Sequence, residues 1–272
     1  MTKHRKLFSE IHPVLYALSV QKERLKRQIQ NRKKIFASIR IDDKLPNVIY
    51  SYHSNLIKKG KGIDPKLQYN KAFNIDKSAR TMNGLIIRPG EEFSFWYLVG
   101  NANKQNGYKD GRVIINNKLQ AGAGGGLCNL ANTINLLIQH SPLEVTEFHM
   151  HSDALALEEV ERKPLRNGTS VAYNYVDYRF RNTTNQNVQL CVWVEDKKLY
   201  GELRSEQPIK NQYELIEENH HYIKQGDKFY RRSMIYKLTK NTDGEIISKD
   251  LILKNKSEVM FDYDLIPKEL IK

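Results

Sequence analysis

The chain has 272 residues, 40% of them hydrophobic and 28% charged, with a formal net charge of +13. That length builds one large domain or two small ones, either with a sizeable core. No run approaches the roughly eighteen apolar residues of a membrane-spanning helix, so an integral helical membrane protein is not expected.

The charge is concentrated at one end. Residues 1–40 hold 11 Lys/Arg against 2 Asp/Glu, whereas the remaining 232 hold 33 against 29. Leu18, Leu25, Ile29, Phe36 and Ile39 recur there at near-helical spacing, which predicts a basic amphipathic helix packed on the body by its apolar stripe. A basic helix also suits contact with anionic lipid headgroups, on the inner face of a membrane. The apolar patch Val14 to Val20 is short, lacks a small-residue cleavage site after it, and runs into charged residues. A signal peptide is therefore not expected, and a cytoplasmic location is. No nucleic-acid module accompanies the charge, so no nucleic-acid partner is expected.

Farther along, "NVIYSYHSNLI" reads as extended, and Tyr69 to Met82 as a helix with Gly84 as its stop. "LIIRPGEEFSFWYLVG" reads as strand, Pro-Gly turn and strand, with Phe93, Phe95 and Tyr97 alternating on one face. Residues 128–140 form the next helix, ended by Ser141-Pro142. "LEVTEFHMHS" then reads as a strand with Val145, Glu147, His149 and His151 on one face. Residues 153–167 read equally as short helix or linker. The rest is β-rich, with a turn at Glu195 to Lys198 and an Asp-Gly hairpin signal in "NTDG". The expected fold is α+β: a basic N-terminal helix, a glycine-turn/helix/strand unit on a mostly antiparallel β-sheet, and a β-rich C-terminal part. Expected boundaries are 1–60, 61–205 and 206–272, the last a β-hairpin extension.

The candidate chemistry centres on "GAGGGLCNLANTINLLIQHSPLEVTEFHMHS". Cys128 stands at a helix start, where partial positive charge and free amides favour a thiolate. The glycines before it let the backbone bend and let a substrate approach, and local amides suit an oxyanion. A nucleophile needs a base, and the strand after this helix returns His149 and His151 toward its start. By length His151 is the better placed, although one register step reverses the preference. Cys128, His149 and His151 would also suit zinc, with Asp153, Glu147 and His140 near in sequence. Cys191, in "VQLCVWV", reads as an ordinary strand residue. With no phosphate loop, dinucleotide fingerprint or nucleophile elbow, no cofactor is expected.

These residues resemble the VanW family. "GGGLCNLANTINLLIQHSPLEVTEFHMHS" is similar to its GGG-[LV]-C-Q-[LV]-S … T-P-L-x-V-x-E-R-H-x-H-S signature, and "NGLIIRPGEEFSFWYLVG", "GYKDG" and "DYRFRNTT" to further landmarks, over about residues 69 to 195. The resemblance implies a link to glycopeptide resistance and L,D-transpeptidase-type chemistry on a peptidoglycan stem peptide or its cytosolic precursor. Cys128 would be the nucleophile and His151 or His149 the base, with Gly124, Gly125, Gly126, Asn129 and Ser152 at the substrate. Recognition of such a precursor, or of a resistance partner, without turnover is the alternative. Asn129 stands where the family has Gln, Ala131 for Ser, Phe148 for Arg, and Gly168 where Asp is expected.

Overall fold

A computed structural model describes residues 13–58, 63–115, 118–154, 163–166 and 168–272. Helix α1 (Pro13–Asn31) leads to strand β1 (Asn47–Asn55) and helix α2 (Pro65–Ala79). Asp64 caps α2 by accepting the Lys66 N–H, and Pro65 takes the first helical position, where no N–H is needed. Helix α1 stops short of Phe36 and Ile39. There the chain leaves the helix to run beside Glu92, whose carbonyl accepts the Ala37 N–H.

Strands β2 (Leu85–Ile87) and β3 (Glu92–Ser94) flank the Pro-Gly turn but do not pair with each other, joining different sheets instead. The expected continuation of β3 through Tyr97 gives way to a short helix, α3 (Phe95–Val99). Ser94 ends the strand by accepting the Tyr97 N–H, so Phe95 stays in the core while Tyr97 turns outward. Strands β4 (Asp110–Ile115) and β5 (Lys118–Ala123) form a hairpin before helix α4 (Leu127–Gln139). Strands β6 (Glu144–Glu147), β7 (Asp153–Ala154) and β8 (Arg179–Arg181) are short. Residues 155–162, the greater part of the segment left open between helix and linker, lie outside the described residues.

The central sheet has the order β1-β10-β9-β2, all antiparallel, where β9 (Val188–Glu195) and β10 (Lys198–Ser205) are joined by the expected turn. Asp196 and Lys197 both have positive φ, as a tight hairpin turn requires. Helix α4 lies on this sheet. At Gly201 a Cβ would come within 3.0 Å of Leu137 Cδ1, so glycine admits the helix there. Leu130, Ala131, Ile134, Leu137 and Ile138 of α4 meet Leu190, Val192, Leu199 and Leu203 in one core. Burial of this kind contributes about 1.5–3 kcal/mol per large apolar side chain.

A second sheet, β3-β8-β6, carries Phe93 stacked on Phe180 at 4.7 Å. The C-terminal part is a three-stranded meander rather than a single hairpin: β11 (Gln212–Gln225), β12 (Lys228–Lys240) and β13 (Ile246–Val259). The edge of β13 pairs in parallel with β7. Among the described residues no helix is long and apolar enough to cross a membrane.

Candidate active site

The turn before α4 is built by close approach of backbones. A Cβ on Gly125 would lie 2.2 Å from the carbonyl carbon of Gly111, and one on Gly126 the same distance from Lys71 Cγ. Gly124 and Gly126 have φ of +73° and +104°, conformations that glycine adopts without strain. The space a side chain would take at these glycines is thus filled by Gly111, Lys71 and Ala102. Asn74 locks the arrangement, donating to the carbonyls of Lys109 and Gly125 and accepting from the Lys109 N–H.

Cys128 is the second residue of α4, as its place in the sequence implies. Its thiol donates to the Val171 carbonyl at 3.7 Å, not to an imidazole. Burial pushes the thiol above its ordinary pKa, opposite to the lowering expected from the helix terminus. Enclosure outweighs the terminus because a thiolate loses its hydration there. Cys191 is a buried β9 residue, and both cysteines are free.

Polar residues on α4 hold the segment that receives this thiol. Asn132 donates to the Arg166 carbonyl and accepts from the main-chain N–H and hydroxyl of Thr169. Gly168 in the same segment has φ +117°, and a Cβ there would lie 2.7 Å from Met150 Cε. Glycine in place of the family's aspartate therefore matches both the backbone and its neighbour.

The histidines reach this segment from its other edge, but not on a continuous strand. Strand β6 ends at Glu147 because its partner β8 has three residues and a bulge interrupts the pairing between Val145 and Glu147. Beyond it the His149 carbonyl accepts the Ser170 N–H, and the His151 N–H donates to the Gly168 carbonyl at 2.7 Å. The cysteine helix and the histidine segment thus both grip residues 168–171. His149 Nε2 lies 3.1 Å from Glu147 Oε1, with its side chain 44% exposed. Phe148, where the family has arginine, packs into the core edge-on to Tyr178. Ser152 is exposed, and its carbonyl accepts the Glu258 N–H. Asn129 is half-buried, with a buried Oδ1 that accepts no hydrogen bond from the described residues. Among the described residues no three His, Cys, Asp or Glu side chains gather as a metal-ligand set, so the zinc alternative finds no support at Cys128.

Pattern reading alone missed the ionic knot beneath the histidines. Asp177 accepts from the Ser94 hydroxyl, the Arg179 Nε–H and the main-chain N–H groups of Trp96 and Tyr178. Burial would raise the Glu147 carboxyl, but hydrogen bonds from His149, Arg27 and the Asp177 N–H outweigh it and hold it at about 2. Lys71 was missed too. Burial first, then the charges of Lys58 and Arg112, lowers its ammonium to about 8. Its one sequence signal was a lysine inside an otherwise buried helix face. Two cavities, of about 480 and 350 Å³, lie at the far end of α4 around Tyr50 and His140, and Cys128 lines neither.

The segments that form this site are those by which the chain is related to known proteins. It is 28% identical over 246 residues to the vancomycin B-type resistance protein VanW of Enterococcus faecalis, covering 86% of this chain and 90% of that one. It is also 28% identical over 117 residues to YoaR of Bacillus subtilis, a protein described as uncharacterized, covering 43% of this chain and 37% of the other. No solved structure matches it. Residues 70–204 match the model described as VanW like protein, and the chain belongs to the VanW family.

Proposed function

We propose that this protein acts in the bacterial response to glycopeptide antibiotics, on a cell-wall stem peptide or its cytosolic precursor, with Cys128 as the reacting thiol. The likeness to an enterococcal vancomycin resistance protein along most of both chains supports the first part. The observation that carries the second is that Cys128 and the Glu147–His149 pair flank one segment, residues 168–171. The thiol would attack the carbonyl carbon of a peptide bond after passing its proton to His149 or His151. The same imidazole would then return a proton to the departing amine. Lys71, with Lys58 and Arg112 near it, supplies positive charge at the glycine turn that suits a peptide carboxylate. Two free cysteines suit a reducing compartment, hence the precursor rather than mature wall.

Recognition without turnover is the second reading, favoured by the burial that raises the Cys128 thiol above its ordinary pKa and by its bond to Val171. The two part in one experiment. The protein and its Cys128→Ala variant are incubated with a synthetic stem pentapeptide and read by intact-protein mass spectrometry. An acyl adduct that requires Cys128, and that Glu147→Gln slows, supports the enzyme. Binding of the peptide with no adduct, equal in Cys128→Ala, supports recognition alone.

A further inference from the structure

We propose that α1 docks the protein on an anionic lipid surface. The helix does not pack by its apolar stripe. Val20, Arg24, Arg27 and Asn31, spaced three to four residues apart, face the body. Arg27 binds both carboxylate oxygens of Glu147, at 2.5 and 2.7 Å, Arg24 lies 4.9 Å from the Tyr173 ring centre, and Asn31 accepts from Arg179. The other side presents Val14, Leu18, Leu25 and Ile29, exposed by 58, 61, 59 and 55%. At 3.6 residues per turn these four fall within roughly 60° of helix face.

The charges around this stripe identify its occupant. Lys22 and Lys26 stand exposed along one edge, and Arg32 and Lys33 are exposed just past the helix end. Ile35, 72% exposed, continues the apolar series, and Glu23 is the sole carboxylate in α1. Apolar side chains at the headgroup boundary, with lysines reaching to phosphates, describe an interfacial helix on anionic lipid. A second copy packed stripe to stripe would bring Lys22 and Lys26 of each near like charges, with only Glu23, 3.9 Å from Lys26, to offset them within α1. Arg27 grips the carboxylate that holds His149, so docking would set the candidate site about one helix diameter, roughly 10 Å, from the lipid. Docking by α1 does not depend on Cys128 chemistry.

Flotation of the full chain with vesicles of phosphatidylcholine, alone or mixed with phosphatidylglycerol, tests it. Binding is expected to the mixed vesicles, at least about tenfold tighter than to the neutral ones and weakened by added salt. Leu18→Gln/Leu25→Gln/Ile29→Gln should lose on the order of tenfold or more of that binding. Because these side chains already meet water, the thermal midpoint should stay where it is. Lys22→Glu/Lys26→Glu should abolish the preference for the anionic lipid. Absence of flotation, equal binding to both vesicles, or binding that survives the triple apolar variant would overturn the proposal. So would a concentration-dependent dimer that the triple variant dissolves while the wild type ignores vesicles.

Discussion

Helices α1 and α4 are both amphipathic by periodicity, yet they use their two faces in opposite ways. Helix α4 is covered nearly all round: its apolar stripe meets the central sheet, and Asn132 and Thr133 are buried beneath neighbouring chain. Helix α1 turns Arg24, Arg27 and Asn31 toward the body and leaves Leu18, Leu25 and Ile29 outside. Periodicity reports that a helix has two faces; what stands opposite decides which face is covered. For α1 the body offers Glu147, Tyr173 and Arg179, a polar and aromatic surface, and the polar face answers it.

Substitutions that ignore this contrast would erase it. The largest effect is expected for Ile134→Ala, which opens a void between α4 and the sheet. A loss of about 2–5 kcal/mol should appear as a lower denaturant midpoint. Next comes Arg27→Ala, which unties α1 from Glu147. Both partners keep some solvent contact, so roughly 1–3 kcal/mol is expected, below the 3–5 of a fully buried pair.

That variant also carries a pH signature. The folded Glu147 carboxyl is held at about 2 against an ordinary 4.5, so its stabilising contribution is complete above the ordinary value. It drains as pH falls from there toward 2 and is gone below. In Arg27→Ala the folded value moves back toward 4.5, and the acid limb of stability against pH should flatten. An unchanged limb would mean that His149 and the Asp177 N–H hold the carboxylate without help. The smallest effect is predicted for Leu25→Ala, within about 0.5 kcal/mol. A cost above about 2 kcal/mol would mean that something covers the α1 stripe in solution, and the contrast with α4 would fail.

Much of the fold was legible because its signals are local. Gly126 before Leu127, and Ser141-Pro142 after Gln139, bound α4, and Asp196-Lys197 and the Asp-Gly turn bound their hairpins. Strand β11 was missed because "QYELIEENHHYIKQ" lies half-exposed on an antiparallel meander and lacks clean alternation. The histidine strand ends earlier than its alternation predicts for a different reason. Its end is set by the brevity of β8, some thirty residues downstream, which no window over 143–152 contains. In the site, the cysteine, its helix and the returning histidines were readable in order, but the room between them was not. Whether glycines open a groove or admit a neighbouring backbone depends on Gly111 and Lys71, brought in by β4 and α2.

The parallel pairing of β7 with β13 bears on how this molecule is made. Asp153 and Ala154 find their strand partner about a hundred residues later in the chain, at Glu258 and Val259. A ribosome therefore finishes α4, the glycine turn and both histidines well before the segment beside His151 can be pinned. Contacts that close such long loops form late, after local structure. A nascent chain halted before β13 would already hold α4 and the backbone bonds from His149 and His151 to residues 168–170, but β7 would still lack its strand partner.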